Sequence, residues 1–415
     1  AVLGVIASMW CRAVACALAL AASSTLTAGS QAEDLPSLRK HWIGHYEPLH
    51  LNRDLLRAQH EAHRQRRGMA SYSKSRVPPV ELGFTAHGRA FTTVLHAAGS
   101  ELFADGFKIE VHTDRGTEEF KDFDKSVFYH GSVHGEPGTL ISAQIEDGVL
   151  VAIIHTDKEQ YFIERADKYI KNASFSNIIY KGSDKAIPEA HDHDTCGDAY
   201  ESMLERQDEL LREDDGDGRH RRQTTPYNPS KNTCGVAMIV DKRFMDAHFL
   251  SGGVYNSDGA VRDVLRHLDG SSLIFRSTAF TINGNTGGGV AQFAAKRVII
   301  YTTDVDNPYA GQATCATSSQ AGSCGANEEC AQGYLDMLTL ASPNTSVPDA
   351  GWDDFCLAHA FTHRDFCGGI LGLAWVGTPN ALSAGICAKR SGSRGSLNTG
   401  ISTTVNFGQD VSTQV

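Results

Sequence analysis

The chain has 415 residues, 41% of them hydrophobic, which is enough to build two or three packed domains. Charged residues make up 21% and the formal net charge is −11, which excludes nucleic acid and anionic membrane as natural partners. From Met9, "MWCRAVACALALAASSTLTAGSQA" sets one positive charge, Arg12, before a short apolar run, Ala13 to Ala22, and a small-residue stretch with cleavage points after Ala28 or Ala32. That is the grammar of a secretory signal, and the run is too short to span a bilayer, so residues 1–32 are read as the signal region. Cys11 and Cys16 would leave with it. The other eight cysteines enter an oxidising compartment, where disulfides are expected. Asn172 (N-A-S) and Asn344 (N-T-S) fit that compartment as glycosylation acceptors.

Next in the chain, Leu35 to Met69 is helical in pattern, strongly charged and poor in apolar anchors, which predicts a solvated helix. From Glu81 to Tyr180 short runs such as "FKIEVHT", "TLISAQIE", "VLVAIIHT" and "NIIYKG" alternate with period two. Turns fall at Glu146-Asp147-Gly148 and Thr156-Asp157-Lys158, so the reading is an antiparallel β meander. Between Lys181 and Lys231 the apolar pattern fails, and "EDDGDGRHRRQTTPYNPSKN" reads as an exposed linker and a domain boundary. Beyond it, "CGVAMIVDKRF" reads as a strand, "GAVRDVLRHLDGSSLIFRSTAF" as a helix, "KRVIIYTT" as a strand and "NEECAQGYLDMLTLA" as a helix. "FCLAHAFTH", "LGLAWVG" and "LNTGISTTVNFG" are three further strands. This order predicts an α/β domain with a mixed sheet and a late edge strand.

Several motifs carry chemistry. Arg219, Arg221 and Arg222 form an R-x-R-R run followed by Gln223, and in a flexible linker this suits a furin-like processing protease. Residues 33–222 are then a propeptide and Gln223 a mature N-terminus. Upstream of that site, Cys196 could ligate a zinc ion as thiolate and block it until cleavage; a structural disulfide is the rival reading. His359 and His363 in "HAFTH" imitate a zinc-protease helix, but alanine stands where the glutamate should be. On a strand two such residues stand about 13 Å apart, too far to share one zinc, so both are read as polar strand residues. No complete H-E-x-x-H, G-x-S-x-G or P-loop occurs in the 415 residues.

Together these segments resemble the ADAM metalloproteinases, metzincins of the adamalysin/reprolysin type, and within them the Kuzbanian, alpha-secretase branch. "HYEPLHLNRDLL", "FTAHGRAFTTVL", "SELFADGFKIEV" and "YFIERADKYIK" resemble that branch's prodomain, and "KNTC" the start of its catalytic domain. "LGLAWVG" followed by "GICAKR" and "SLNTGI" resembles its late strands. The resemblance implies an α+β multidomain chain: a β-rich prodomain over 33–222, then the α/β, mixed-sheet metzincin catalytic domain over 223–415, incomplete because its zinc motif is expected beyond Val415. It implies a zinc endopeptidase whose edge strand Leu371, Gly372, Leu373, Ala374 and Trp375 pairs with extended protein substrates. Cys196 would be the inhibitory switch, in surroundings ("DTCGDAY") that depart from the family's pattern, and Cys234 and Cys356 would be bridged. The pairing of Cys315, Cys324, Cys330 and Cys367 stays open. Further implications are shedding of membrane-protein ectodomains, Notch-like receptors among the substrates, and a cell-surface protein with a single membrane span outside this chain. The alternative is a protease-dead adhesion or decoy protein on the same fold.

Overall fold

In a computed structural model, the structure describes residues 43–70, 78–99, 101–185, 193–212, 233–278, 280–282, 285–288, 292–305, 307–315, 324, 328–340, 352–377, 384–388 and 395–405. The first sheet has eight strands: β1 (Glu47–Leu49), β2 (Val80–Ala86), β3 (Arg89–Ala97), β6 (Phe128–Val133), β7 (Leu140–Glu146), β8 (Val149–His155), β9 (Gln160–Arg165) and β10 (Asn177–Lys181). Their order is β1-β10-β9-β8-β7-β6-β3-β2, with every pairing antiparallel. The meander expected over 81–180 is therefore present through most of its length. Asp147 and Gly148, at φ 49° and 75°, make the tight turn between β7 and β8. Glycine is required there, because a Cβ on Gly148 would sit 2.1 Å from the Arg53 carbonyl.

That carbonyl belongs to helix α1 (Arg53–Ala70), capped by the Asn52 side chain, which accepts from the Leu55 N–H at 3.0 Å. The helix starts well after Leu35, and it is not merely solvated. Leu56 is buried with Leu49, Ile145 and Leu150, and His63 is buried 5.3 Å from the Tyr129 ring. A few anchors on one stripe suffice to dock an otherwise polar helix.

Two strands leave the expected meander. β4 (Phe103–Thr113) and β5 (Gly116–Glu119) join a second, seven-stranded sheet instead. Its other members are β11 (Thr233–Val240), β16 (Gln292–Tyr301), β17 (Leu357–Thr362), β18 (Gly372–Ala374) and β19 (Thr399–Thr403), in the order β18-β19-β17-β11-β16-β4-β5. Between β11 and β16 lie two small hairpins, β12 (Leu250–Ser251) with β13 (Val254–Tyr255) and β14 (Phe280–Ile282) with β15 (Asn285–Gly288). The five inner strands are parallel; β18 and β5 close the ends antiparallel. β4 goes there because Ile109 lies opposite Val298 in the parallel ladder, and Ile109, Leu102 and Phe128 bury into the same core as Val298 and Ile300. Residues from both sides of the expected linker thus share one sheet.

Helices cover both faces, as a parallel sheet requires. Along β11, Val236, Met238 and Val240 face one core and Ala237 and Ile239 the other. The first core is covered by α4 (Ser257–Ser277), whose Val261, Val264 and Leu265 are fully buried, each stabilising by about 1.5–3 kcal/mol. The second is covered by α2 (His193–Arg212) and α5 (Ala331–Leu340). One further short helix, α3 (Lys242–His248), was not expected. Asp241 ends the strand read in "CGVAMIVDKRF" by N-capping it, accepting from the Phe244 N–H at 2.9 Å.

Candidate functional site

The site is built around the edge strand β18. Gly368 and Gly369, at φ 67° and 70°, turn the chain after β17 so that 371–376 runs back along β19. Gly372, Leu373 and Ala374 pair with Ser402, Ile401 and Gly400, and the Trp375 N–H donates to the Thr399 carbonyl at 3.3 Å. Trp375 anchors the strand: its ring is buried and its Nε1–H donates to Thr339 Oγ1 at 2.8 Å. Because Trp375 points its N–H inward to β19, alternation turns the backbone groups of Gly372, Ala374 and Val376 outward. Among the described residues no strand pairs with that outer edge.

Part of the edge is nonetheless occupied. Gln207 on α2 donates through Nε2 to the Val376 carbonyl at 2.9 Å and accepts through Oε1 from the Val376 N–H at 2.9 Å. A side-chain amide thereby makes the two bonds that a paired strand would make. α2 lies in the segment expected to be unstructured linker. Met203, Gln207 and Leu210 recur at helical spacing and are all buried, against α5 and Trp375, while Arg206 pairs with Asp336 at 3.3 Å. Cys196 lies in the first turn of this helix.

Behind the edge, a buried polar network fixes the carboxyl ends of β11 and β17. The Arg364 guanidinium is 1% exposed and contacts Asp241 at 3.4 Å, the Glu329 carboxylate, the Gly311 carbonyl at 3.0 Å and the Tyr309 carbonyl at 2.5 Å, with its Cζ 4.5 Å from the Tyr334 ring centre. Asp241 also accepts from the Tyr334 hydroxyl at 2.9 Å and the Thr362 hydroxyl at 2.6 Å. Burial, together with the Asp241 charge, drives the Tyr334 phenol well above its ordinary pKa, so it stays a donor.

The histidines of "HAFTH" lie where a strand reading puts them, on and just past β17. His359 Nε2 bonds the Ser402 hydroxyl at 2.9 Å, and His363 Nδ1 bonds the Thr404 hydroxyl at 3.0 Å. Thr404 also meets His248 Nε2 at 2.7 Å, and the His248 and His363 rings stand edge to face at 4.9 Å. Burial pushes His359 down to about 4; burial and then the neighbouring His363 push His248 down to about 4. Neither pair forms a zinc-protease ligand set, and the cysteines clustered beside this sheet are in disulfides except Cys387, whose Sγ lies 2.8 Å from Cys356 Sγ. Residues fit for the family's zinc are therefore absent from the described part of this site.

Those disulfides are Cys234–Cys356, Cys315–Cys330 and Cys324–Cys367, so the pairing left open by the sequence is resolved. Asn172 is exposed in a turn at φ 60°. Residues 1–32, Arg219, Arg221, Arg222, Gln223 and Asn344 lie outside the described residues.

The sequence does not show how the eight-stranded sheet meets helix α4 of the second sheet. Ser142, Gln144 and Glu146 share one face of β7, with His130 opposite Ser142 on β6, and all four reach α4. His130 Nε2 meets Asp269 at 2.6 Å, Ser142 donates to the same carboxylate, Gln144 donates to the Arg262 carbonyl at 2.9 Å, and Glu146 pairs with Arg262. Alternation alone could mark that face of β7 as polar but not name its partner.

A parallel sheet closed at both ends by antiparallel strands, with helices on both faces and disulfide-tied loops, is an α+β architecture of the metalloprotease type, and the comparisons agree with it. Residues 303–415 match the family model described as metallo-peptidase family M12B, reprolysin-like. The chain is 29% identical over 397 residues to disintegrin and metalloproteinase domain-containing protein 10 of Homo sapiens, covering 90% of this chain and 47% of that protein. It is 29% identical over 400 residues to the Rattus norvegicus protein of that name, with the same coverage, and 27% identical over 429 residues to the Caenorhabditis elegans homolog, covering 90% and 42%. The chain thus spans about half the length of the curated relatives it matches. The solved metalloproteinase-II from Bacteroides fragilis overlays with a TM-score of 0.34 at 10% identity, covering 82% of this chain and 80% of that one, too loose a likeness to carry an argument. These likenesses support an ADAM metalloproteinase of the Kuzbanian branch.

Proposed function

We propose that this chain is the precursor region of a secretory-pathway zinc metalloendopeptidase that sheds ectodomains of membrane proteins, Notch-like receptors among them. In this reading residues 33–222 are the prodomain and residues 223–415 belong to the catalytic domain. The zinc is held by ligands outside these residues, and a single span outside them anchors the protein at the cell surface. Among the described residues no helix is long and apolar enough to cross a membrane. The observation that carries the proposal is the outer edge of β18. Its outward groups suit an extended peptide, and Gln207 already holds the last of them from a helix that precedes the R-H-R-R run.

The same geometry supports latency. While α2 stays docked, a substrate strand cannot complete its bonds along β18. Cutting after Arg222 separates α2 from the catalytic domain in sequence and lets it leave. Cys196, at the start of that helix, would be carried away with it. The test is to express the precursor in secreting cells with and without a furin inhibitor, and to compare it with Arg222→Ala. Cleavage before Gln223 that disappears in the variant is expected; cleavage that persists there removes the processing site from the account.

A further inference from the structure

The eight-stranded sheet carries a second constellation, on strands other than those of the β18 sheet. β1 and β2 are the two end strands of the eight-stranded order, and among the described residues no backbone ladder joins them. Side chains bridge the gap instead. His45 and Glu47 stand two residues apart on the extended segment entering β1, and so share a side. His87 is the first residue of the two-residue turn between β2 and β3, at φ 50° with Gly88 at 69°. Its backbone N–H donates to Glu47 Oε2 at 2.7 Å, its Nδ1 lies 3.7 Å from Glu47 Oε1, and its ring stands 5.7 Å from that of His45. One ligand atom from each of the three residues lies within 4.8 Å of the others.

From this geometry we infer that His45, Glu47 and His87 form a zinc-binding site that clasps the two end strands of the eight-stranded sheet. Zinc bonds of about 2.0–2.2 Å place tetrahedral ligand atoms about 3.3–3.5 Å apart, so only a small closing movement is needed, which the exposed His45 can supply. The outer contacts are already set for it. His87 Nε2 faces the Ile179 carbonyl at 3.3 Å. That bond needs the proton on Nε2 and leaves the lone pair on Nδ1, the nitrogen turned toward Glu47. The His87 N–H in turn holds one carboxylate oxygen and presents the other. Two imidazoles and one carboxylate select zinc over calcium or magnesium, which want oxygen alone, and water fills the fourth position.

The test uses the metal-free 415-residue chain titrated with zinc, followed by X-ray absorption at the zinc edge. Expected is one equivalent bound through nitrogen and oxygen without sulfur, not displaced by excess calcium. His87→Asn, which tolerates the left-handed turn, and Glu47→Gln each weaken that equivalent ten-fold or more. His45→Ala does the same without a folding defect, since the side chain is exposed, and His50→Ala leaves binding unchanged. No zinc uptake, sulfur ligation, or an equivalent that survives all three substitutions overturns the site.

Discussion

Gln207 and Val376 are joined by two hydrogen bonds of 2.9 Å each, a side-chain amide taking both backbone groups of one residue on a sheet edge. Two neutral bonds of this kind contribute about 1–2 kcal/mol in net terms. Gln207→Ala should therefore raise amide exchange at Val376 by roughly 5–30-fold and leave the interior of β17 unchanged. Mass-spectrometric hydrogen exchange on the intact precursor checks this. Unaltered protection at Val376 would show that other contacts cover the edge.

Arg364 lies between Asp241 and Glu329, and all three are buried. Arg243 also reaches Glu329, so removing Arg364 strands Asp241 above all. Breaking a buried pair from one side costs about 3–5 kcal/mol. Arg364→Met should lower the unfolding free energy read from urea titration by that amount, and a change within experimental error would mean that water replaces the guanidinium.

Acid should weaken the same region. An unfolded imidazole titrates near 6.5, whereas burial holds His248 and His359 at about 4 in the fold. Their contribution is whole above pH 6.5 and declines as pH falls from 6.5 toward 4, where the unfolded chain takes up protons that the fold refuses. Each group accounts for on the order of 2–3 kcal/mol over that window. Urea unfolding from pH 7 to pH 4 should show the decline. His359→Gln, neutral throughout, should make it shallower; an identical slope would contradict the assignment.

His130 has the opposite sign. Burial disfavours its charge, but the Asp269 carboxylate outweighs this and raises its pKa. The pair's contribution is complete below about 6.5 and is lost as pH rises through the elevated value. With β4 also laddered to β16, the eight-stranded sheet should stay bound after cleavage and separate more readily as pH increases. Gel filtration of the cleaved protein across pH 6 to 9 checks this. Asp269→Asn should dissociate more and with less pH dependence, whereas prompt separation at every pH would contradict the shared sheet.

Where side-chain alternation is local, the sequence was readable. Ile141, Ala143 and Ile145 against Ser142, Gln144 and Glu146 mark β7 without knowledge of its neighbours. Partner choice was not legible. "FKIEVHT" has the same period as its meander neighbours, and only the open edge of β16, far along the chain, sends β4 elsewhere. α2 was missed because Met203, Leu204, Leu210 and Leu211 are a thin stripe in a charged run, decisive only once α5 and Trp375 face them. At the site, the edge strand was legible through its family motif. Gln207 was not, since no rule marks a glutamine that substitutes for a strand. Cysteine spacing likewise left three pairings open until the fold brought Cys324 to Cys367.

In the proposed function, α2 and the segment around it keep a zinc endopeptidase latent. The most direct measurement is hydrolysis of an extended fluorogenic peptide by the whole precursor, made in secreting cells, before and after furin treatment. Negligible hydrolysis is expected before cleavage, with a rise after it, abolition by a zinc chelator and partial activity in uncleaved Gln207→Ala. Cleaved protein that hydrolyses nothing with zinc supplied, or intact precursor as active as the cleaved form, would contradict it.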